Sequence, residues 1–186
     1  NGVVYMTLQE AVDAAALGQT EEERAVLLLS DVDLGGEAVA IKACDITLNL
    51  NGHAITGTAE ALIVVQDGAH LAVDDAEQGL GAIRGASDSA GCAILVEGAG
   101  SSLVVNAGTV ETPGEAASAV RCAKDATVTV NGGSVGGVAA TAVQSGDKQE
   151  VVHYVLTIGS PPVINAGVSG LSTRPGPSHP YGRAVT

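Results

Sequence analysis

Residues 46–57 read ITLNLNGHAITG. Branched apolar residues alternate with Thr and Asn, Asn51-Gly52 follows, and the alternation then resumes. An Asn-Gly pair between alternating strands is a strong signal for a two-residue hairpin turn. It serves equally well as a sharp corner in a unit that recurs along the chain. A hairpin occurs once and a solenoid repeats, so a search for internal periodicity decides between them.

The pattern recurs. Five segments align, each led by Ala: AVAIKACDITLNLNGHAI from Ala38, ALIVVQDGAHLAVDD from Ala61, AILVEGAGSSLVVNAGTV from Ala93, AVRCAKDATVTVNGGSV from Ala119 and AVQSGDKQEVVHYVLTIGSPPV from Ala142. After each Ala stand Val39, Leu62, Ile94, Val120 and Val143, then Ile41, Val64, Val96, Cys122 and Ser145. Period two places both rows on one face of a first strand. A second strand supplies Leu48, Leu71, Leu103, Val128 and Leu156, then Leu50, Val73, Val105, Val130 and Ile158. A third, shorter strand supplies Ile55, Ile83, Val110, Val135 and Val163. The second-strand anchors are separated by 23, 32, 25 and 28 residues (48 to 71, 71 to 103, 103 to 128, 128 to 156). Constant strands with loops of varying length describe a solenoid, and the hairpin reading fails.

The composition suits a narrow, regular interior. The 186 residues are 46% hydrophobic but contain no Trp, no Phe and only 3 Tyr, so Val, Leu, Ile and Ala must fill the core. The 25 glycines and many β-branched residues favour an all-β chain with frequent turns.

Asn51, Asp74, Asn106 and Asn131 follow the second strand, where a corner is needed. Asn and Asp tolerate left-handed backbone, and their side chains can bond to the neighbouring rung. A column of this kind resembles the asparagine ladder of right-handed parallel β-helices of the pectate-lyase-like superfamily. The likeness covers roughly residues 25–165 and implies an all-β, right-handed, single-stranded parallel β-helix of three strands per rung and about five to six rungs. The stretches TLQEAVDAA and ITLNLNGHAI also resemble a sequence recurrent in secreted and wall-attached proteins of gut bacteria. That resemblance implies an extracellular or cell-surface bacterial module belonging to a larger chain.

Residues 1–24 are expected to cap the solenoid. Thr7-Leu8-Gln9-Glu10 reads as a capping box, and Leu8, Ala11, Val12 and Ala15 form the apolar stripe of a helix from Thr7 to about Leu17. A terminal coil without a cover would present unpaired backbone. Residues 166–186 lose the strand pattern and hold three of the 6 prolines, so they read as a distal cap or a linker.

Charge and cysteine content exclude several classes. The net charge of −13, from 21 acidic and 8 basic residues without a Lys/Arg cluster, opposes nucleic-acid binding. No apolar run approaches the ~18 residues of a membrane-spanning helix. Cys44, Cys92 and Cys122 have neither zinc-site nor disulfide-framework spacing and read as small buried hydrophobes. No cofactor or metal is implied: His53, His70, His153 and His179 show no ligand spacing.

Catalytic carboxylates, Arg and Lys of pectate-lyase-like enzymes stand on the outer face of the first strand, as the resemblance implies. In the Ala-led register that face holds Lys42, Glu97 and Arg121 among mostly apolar residues, without a carboxylate pair for glycoside hydrolysis. Asp74-Asp75 is an acidic pair, but it falls in the corner column and reads as structural. No catalytic residue is assigned. Ala40, Ile63, Val65 and Leu95 form an apolar strip on the same face, a candidate partner surface. The favoured expectation is a non-catalytic structural or adhesive module. Contacts with a host or cell-wall glycan or protein would come from the loops at 85–92, 112–118 and 145–151. A polysaccharide lyase, a glycoside hydrolase or a glycan-binding domain is the alternative.

Overall fold

The computed structural model describes residues 2–77, 80–86, 91–113, 118–123, 125–144, 148–156 and 163–165, with side chains through residue 136. The expected tail at 166–186, Ser145 and Ile158 lie outside them, as do 87–90, 114–117 and 145–147 of the three named loops. One helix, α1 (Leu8–Ala15), precedes the strands. They follow as β1 (Ala25–Leu27), β2 (Val32–Asp33), β3 (Val39–Lys42), β4 (Asp45–Asn49), β5 (Ala54–Thr56), β6 (Ala61–Gln66), β7 (His70–Asp74) and β8 (Ala82–Arg84). Then come β9 (Cys92–Val96), β10 (Ser102–Val105), β11 (Thr109–Glu111), β12 (Val120–Cys122), β13 (Thr127–Val130), β14 (Ser134–Gln144), β15 (Lys148–Leu156) and β16 (Val163–Asn165).

Every third strand is a hydrogen-bonded neighbour, which makes the chain a right-handed parallel β-helix of about 4 turns. The first face stacks β3, β6, β9 and β12; the second β1, β4, β7, β10 and β13; the third β2, β5, β8 and β11. Within each face the pairing is parallel. Leu71, Leu103 and Val128 lie directly opposite one another, as do Val73, Val105 and Val130. The third-face row Ile55, Ile83, Val110 and Val135 stacks as the repeat predicts. These side chains form one continuous aliphatic core.

Three register assignments need correction. In the first turn Leu48 opposes Val73, and Ile46 opposes Leu71. That slip of two residues leaves the same side chains inside. In the second turn Ile63 opposes Val39 and Ile94, and Val65 opposes Ile41 and Val96, so the slip is of one residue. A slip of one exchanges the two faces of a strand. Ile63 and Val65 are therefore core residues, 1% and 0% exposed, and Val64 takes the outward position.

The last correction concerns the fifth repeat. Strand β14 continues from the third face onto the first through an irregularity between Val135 and Val138, so that Val138, not Val143, opposes Val120. Strands β15 and β16 then return antiparallel on β14 and β13, with Ile164, not Leu156, opposite Val128. Parallel winding thus ends with the first-face strand that β14 lays on β12, which gives about 4 turns instead of the expected five to six. Val163 belongs to this returning strand beside β13 instead of to the third face.

The N-terminal cap is built as its sequence indicates. Thr7 Oγ1 accepts from Glu10 N–H, the Glu10 carboxylate accepts from Thr7 N–H, and Leu8, Val12 and Ala15 are buried. The free edge of β3 would leave backbone groups unpaired. The Gln9 amide occupies that edge: its Oε1 accepts from Ala40 N–H at 2.8 Å and its Nε2 donates to Ala40 C=O at 3.1 Å. One side chain thereby takes the place of a neighbouring strand.

Candidate functional site

The corner column contains three of its four expected members in mutual contact. Asn106 Nδ2 donates to Asp74 Oδ1 at 2.9 Å, and Asn131 Nδ2 donates to Asn106 Oδ1 at 2.9 Å. Asn51 is displaced from this line. The residue opposite Asp74 is Asn49, whose Oδ1 accepts from Asn51 N–H and, across the rungs, from Ala76 N–H. Asn51 instead makes the turn, with φ +49° and its amide donating to Leu28 C=O. Asp75 is buried, and its two carboxylate oxygens accept from Gly52 N–H at 2.7 Å and Gly81 N–H at 2.9 Å. That geometry gives Asp75 a backbone-clamping role at the corner.

The apolar strip expected on the first face does not assemble. Ile63 and Val65 point inward, while Ala40 is half-buried and bonded to Gln9. The outward row there is Ala40, Val64, Leu95 and Arg121. Arg121 lies 3.5 Å from the exposed Glu60. His53, on the corner after Asn51, faces Asp31 at 3.4 Å. The N–H of Ala54 bonded to Asp31, with His53 beside it, holds that carboxyl below its usual range.

The second face carries an arrangement that motif reading missed. Asp45, His70, Ser102 and Thr127 open four successive strands, and each directly precedes an inward residue: Ile46, Leu71, Leu103 and Val128. They therefore share one outward row. His70 Nδ1 and Ser102 Oγ are 2.6 Å apart, and His70 Nε2 is 4.0 Å from Asp45 Oδ1. Arg24 Nη1 reaches Asp45 Oδ2 at 3.2 Å, while its Nε donates to Gly18 C=O. The row lies on the surface, with the His70 and Asp45 side chains 53% and 59% exposed. Beside it runs a half-buried row of small residues, Thr47, Ala72, Val104 and Thr129, and beyond that the Asn/Asp ladder.

No protein family, curated protein or solved structure matches the chain. The chemistry must therefore be argued from the site itself.

Among the described residues, no three His, Cys, Asp or Glu side chains converge as metal ligands. Among the same residues, no helix is long and apolar enough to cross a membrane. Cys92 and Cys122 are buried free thiols, and burial pushes the Cys92 thiol up to about 11. Cys44 is only half-buried, and partial burial raises its thiol as well.

Proposed function

We propose that the chain is a structural or adhesive module of a secreted or cell-surface bacterial protein, a stiff β-helix that displays its outer second face to a host or cell-wall glycan or protein. The three-strand turn and the amide ladder support a likeness to pectate-lyase-like β-helices. The observation that carries the proposal is the second face itself. Two polar rows flank a half-buried row of small residues over four rungs, and none of these three rows belongs to the buried aliphatic core. Neighbouring rungs in such a sheet lie about 4.8 Å apart, so the strip offers polar groups at a regular spacing to an extended partner.

Binding to immobilised cell-wall polysaccharide fractions, host glycans and matrix proteins tests this reading. The chain is expected to be retained by at least one of them. The double variant Ala72→Arg/Val104→Arg should lose retention while its melting temperature stays near that of the parent. Retention of the double variant equal to the parent's, or no retention of the parent, rejects the proposal. Measuring unsaturated uronate by absorbance on the same polysaccharides decides the lyase alternative.

A further inference from the structure

We propose that Ser102 is an activated nucleophile, with His70 as its general base and Asp45 as the residue that positions the base. Such a site accepts acyl groups from small, unhindered esters. The inference goes beyond the display role and uses a different row of the same face.

Serine becomes nucleophilic when an adjacent base can take its proton and a third group orients that base. The distance of 2.6 Å between Ser102 Oγ and His70 Nδ1 is a short hydrogen bond. Nδ1 accepts from the hydroxyl only if the neutral ring carries its proton on Nε2. Asp45 lies 4.0 Å from Nε2, so its negative charge favours that tautomer. Arg24 holds the other oxygen of Asp45 at 3.2 Å and is itself anchored on Gly18 C=O. The four side chains thus run in one line across neighbouring rungs, Arg24 to Asp45 to His70 to Ser102, with the hydroxyl at the end of the line. Thr127, opposite Ser102 on the next rung, supplies a hydroxyl beside the reacting centre.

The reaction balances without a further reagent. Ser102 Oγ bonds to the acyl carbon as its proton passes to His70 Nδ1, and the C–O bond to the leaving alkoxide breaks as that proton is delivered to it. Water then attacks the acyl carbon, giving its proton to His70. The Oγ–C bond breaks, Ser102 recovers a proton from His70, and the carboxylic acid departs. The sum is ester plus water giving acid plus alcohol. The row is open to solvent, which suits small substrates and slow turnover, because exposed dipoles stabilise a developing oxyanion less than those in a water-excluded site.

A fluorophosphonate probe followed by peptide mass mapping of the whole chain locates any activated serine, and p-nitrophenyl acetate hydrolysis measures turnover. The label is expected on Ser102. Ser102→Ala and His70→Gln should each lower hydrolysis about a hundredfold. Asp45→Asn should lower it less and displace the pH profile, a change that a merely structural contact would not produce. Labelling of wild-type chain spread over other serines, or a Ser102→Ala variant as fast as wild type, overturns the proposal. The labelling result stands even if a variant fails to fold. It also leaves the glycan-binding test untouched.

Discussion

Ile63 and Val64 are adjacent, similar in chemistry and opposite in consequence. Ile63 is 1% exposed and stacks between Val39 and Ile94, whereas Val64 is half-buried on the outer side of the same strand. Truncating Ile63 to Ala leaves a void between residues whose backbones are fixed by the rung spacing, so the interior cannot collapse to fill it. Buried Ile to Ala costs about 2–5 kcal/mol, with the higher figures where relaxation is poor, so about 4 kcal/mol is expected here. Val64→Ala removes less surface from a site that already meets water and should cost about 0.5–1 kcal/mol. For a chain of this length each kcal/mol moves the melting temperature by about 2–4 °C. Ile63→Ala should therefore melt roughly 8–16 °C below the parent and Val64→Ala within about 4 °C of it, followed by circular dichroism near 218 nm. Equal losses, or a larger loss at Val64, would place Ile63 outside and refute the register of the second turn.

Three further outcomes follow from the same contacts. Gln9→Ala removes both bonds to Ala40 and bares the edge of β3; it should cost about 1–3 kcal/mol in urea unfolding and raise concentration-dependent light scattering. Asp75→Asn leaves one carbonyl oxygen where two carboxylate oxygens serve Gly52 and Gly81; a loss of about 2–3 kcal/mol is expected, measured by the same melts. The Cys92 thiol ionises near its ordinary 9.0 when unfolded but at about 11 when folded, so its contribution is complete below pH 9 and disappears as pH rises from 9 to 11. That amounts to about 2–3 kcal/mol. Cys92→Ala should flatten the stability decline over this interval in urea titrations, and an unchanged decline would refute the assignment.

The architecture was legible because aliphatic rows recur with period two, but the phase of individual strands was not. In ALIVVQ, residues 61–66, five apolar residues stand together, so alternation supplies no phase, and alignment on the leading Ala slips by one. The polar residue that ends the strand carries the information instead: Lys42 pairs with Gln66, and Glu97 continues that row after Val96. Aligning on this row would have placed Ile63 inside. The same remedy applies to DITLN and HLAVD, whose terminal Asn49 and Asp74 pair, correcting both Leu48 and the first member of the ladder. The end of parallel winding was hidden for another reason. Ala142-Val143 imitates the repeat in composition, but β14 passes onto the first face within one strand, at the irregularity between Val135 and Val138, and places Val138 there first.

The row Asp45, His70 and Ser102 was invisible to motif searching because its members are separated by 25 and 32 residues, the lengths of successive turns (45 to 70, 70 to 102). In a parallel β-helix, sequence distance between functional partners is set by loops, while spatial distance is set by the rung, about 4.8 Å. Two kinds of outer row use that constant spacing differently here. In the ladder each amide donates to the next rung, so removing Asn106 breaks bonds on both sides of it. In the titratable row the groups differ, and their value lies in the order of charge, base and hydroxyl. The core residues beneath both rows, Leu71 and Leu103, are fully buried and pair directly with each other on the opposite side of the strands from the polar side chains. Substitutions in the titratable row are therefore predicted to separate chemistry from stability, a division that an active site set into the packing of a globular core cannot make as cleanly.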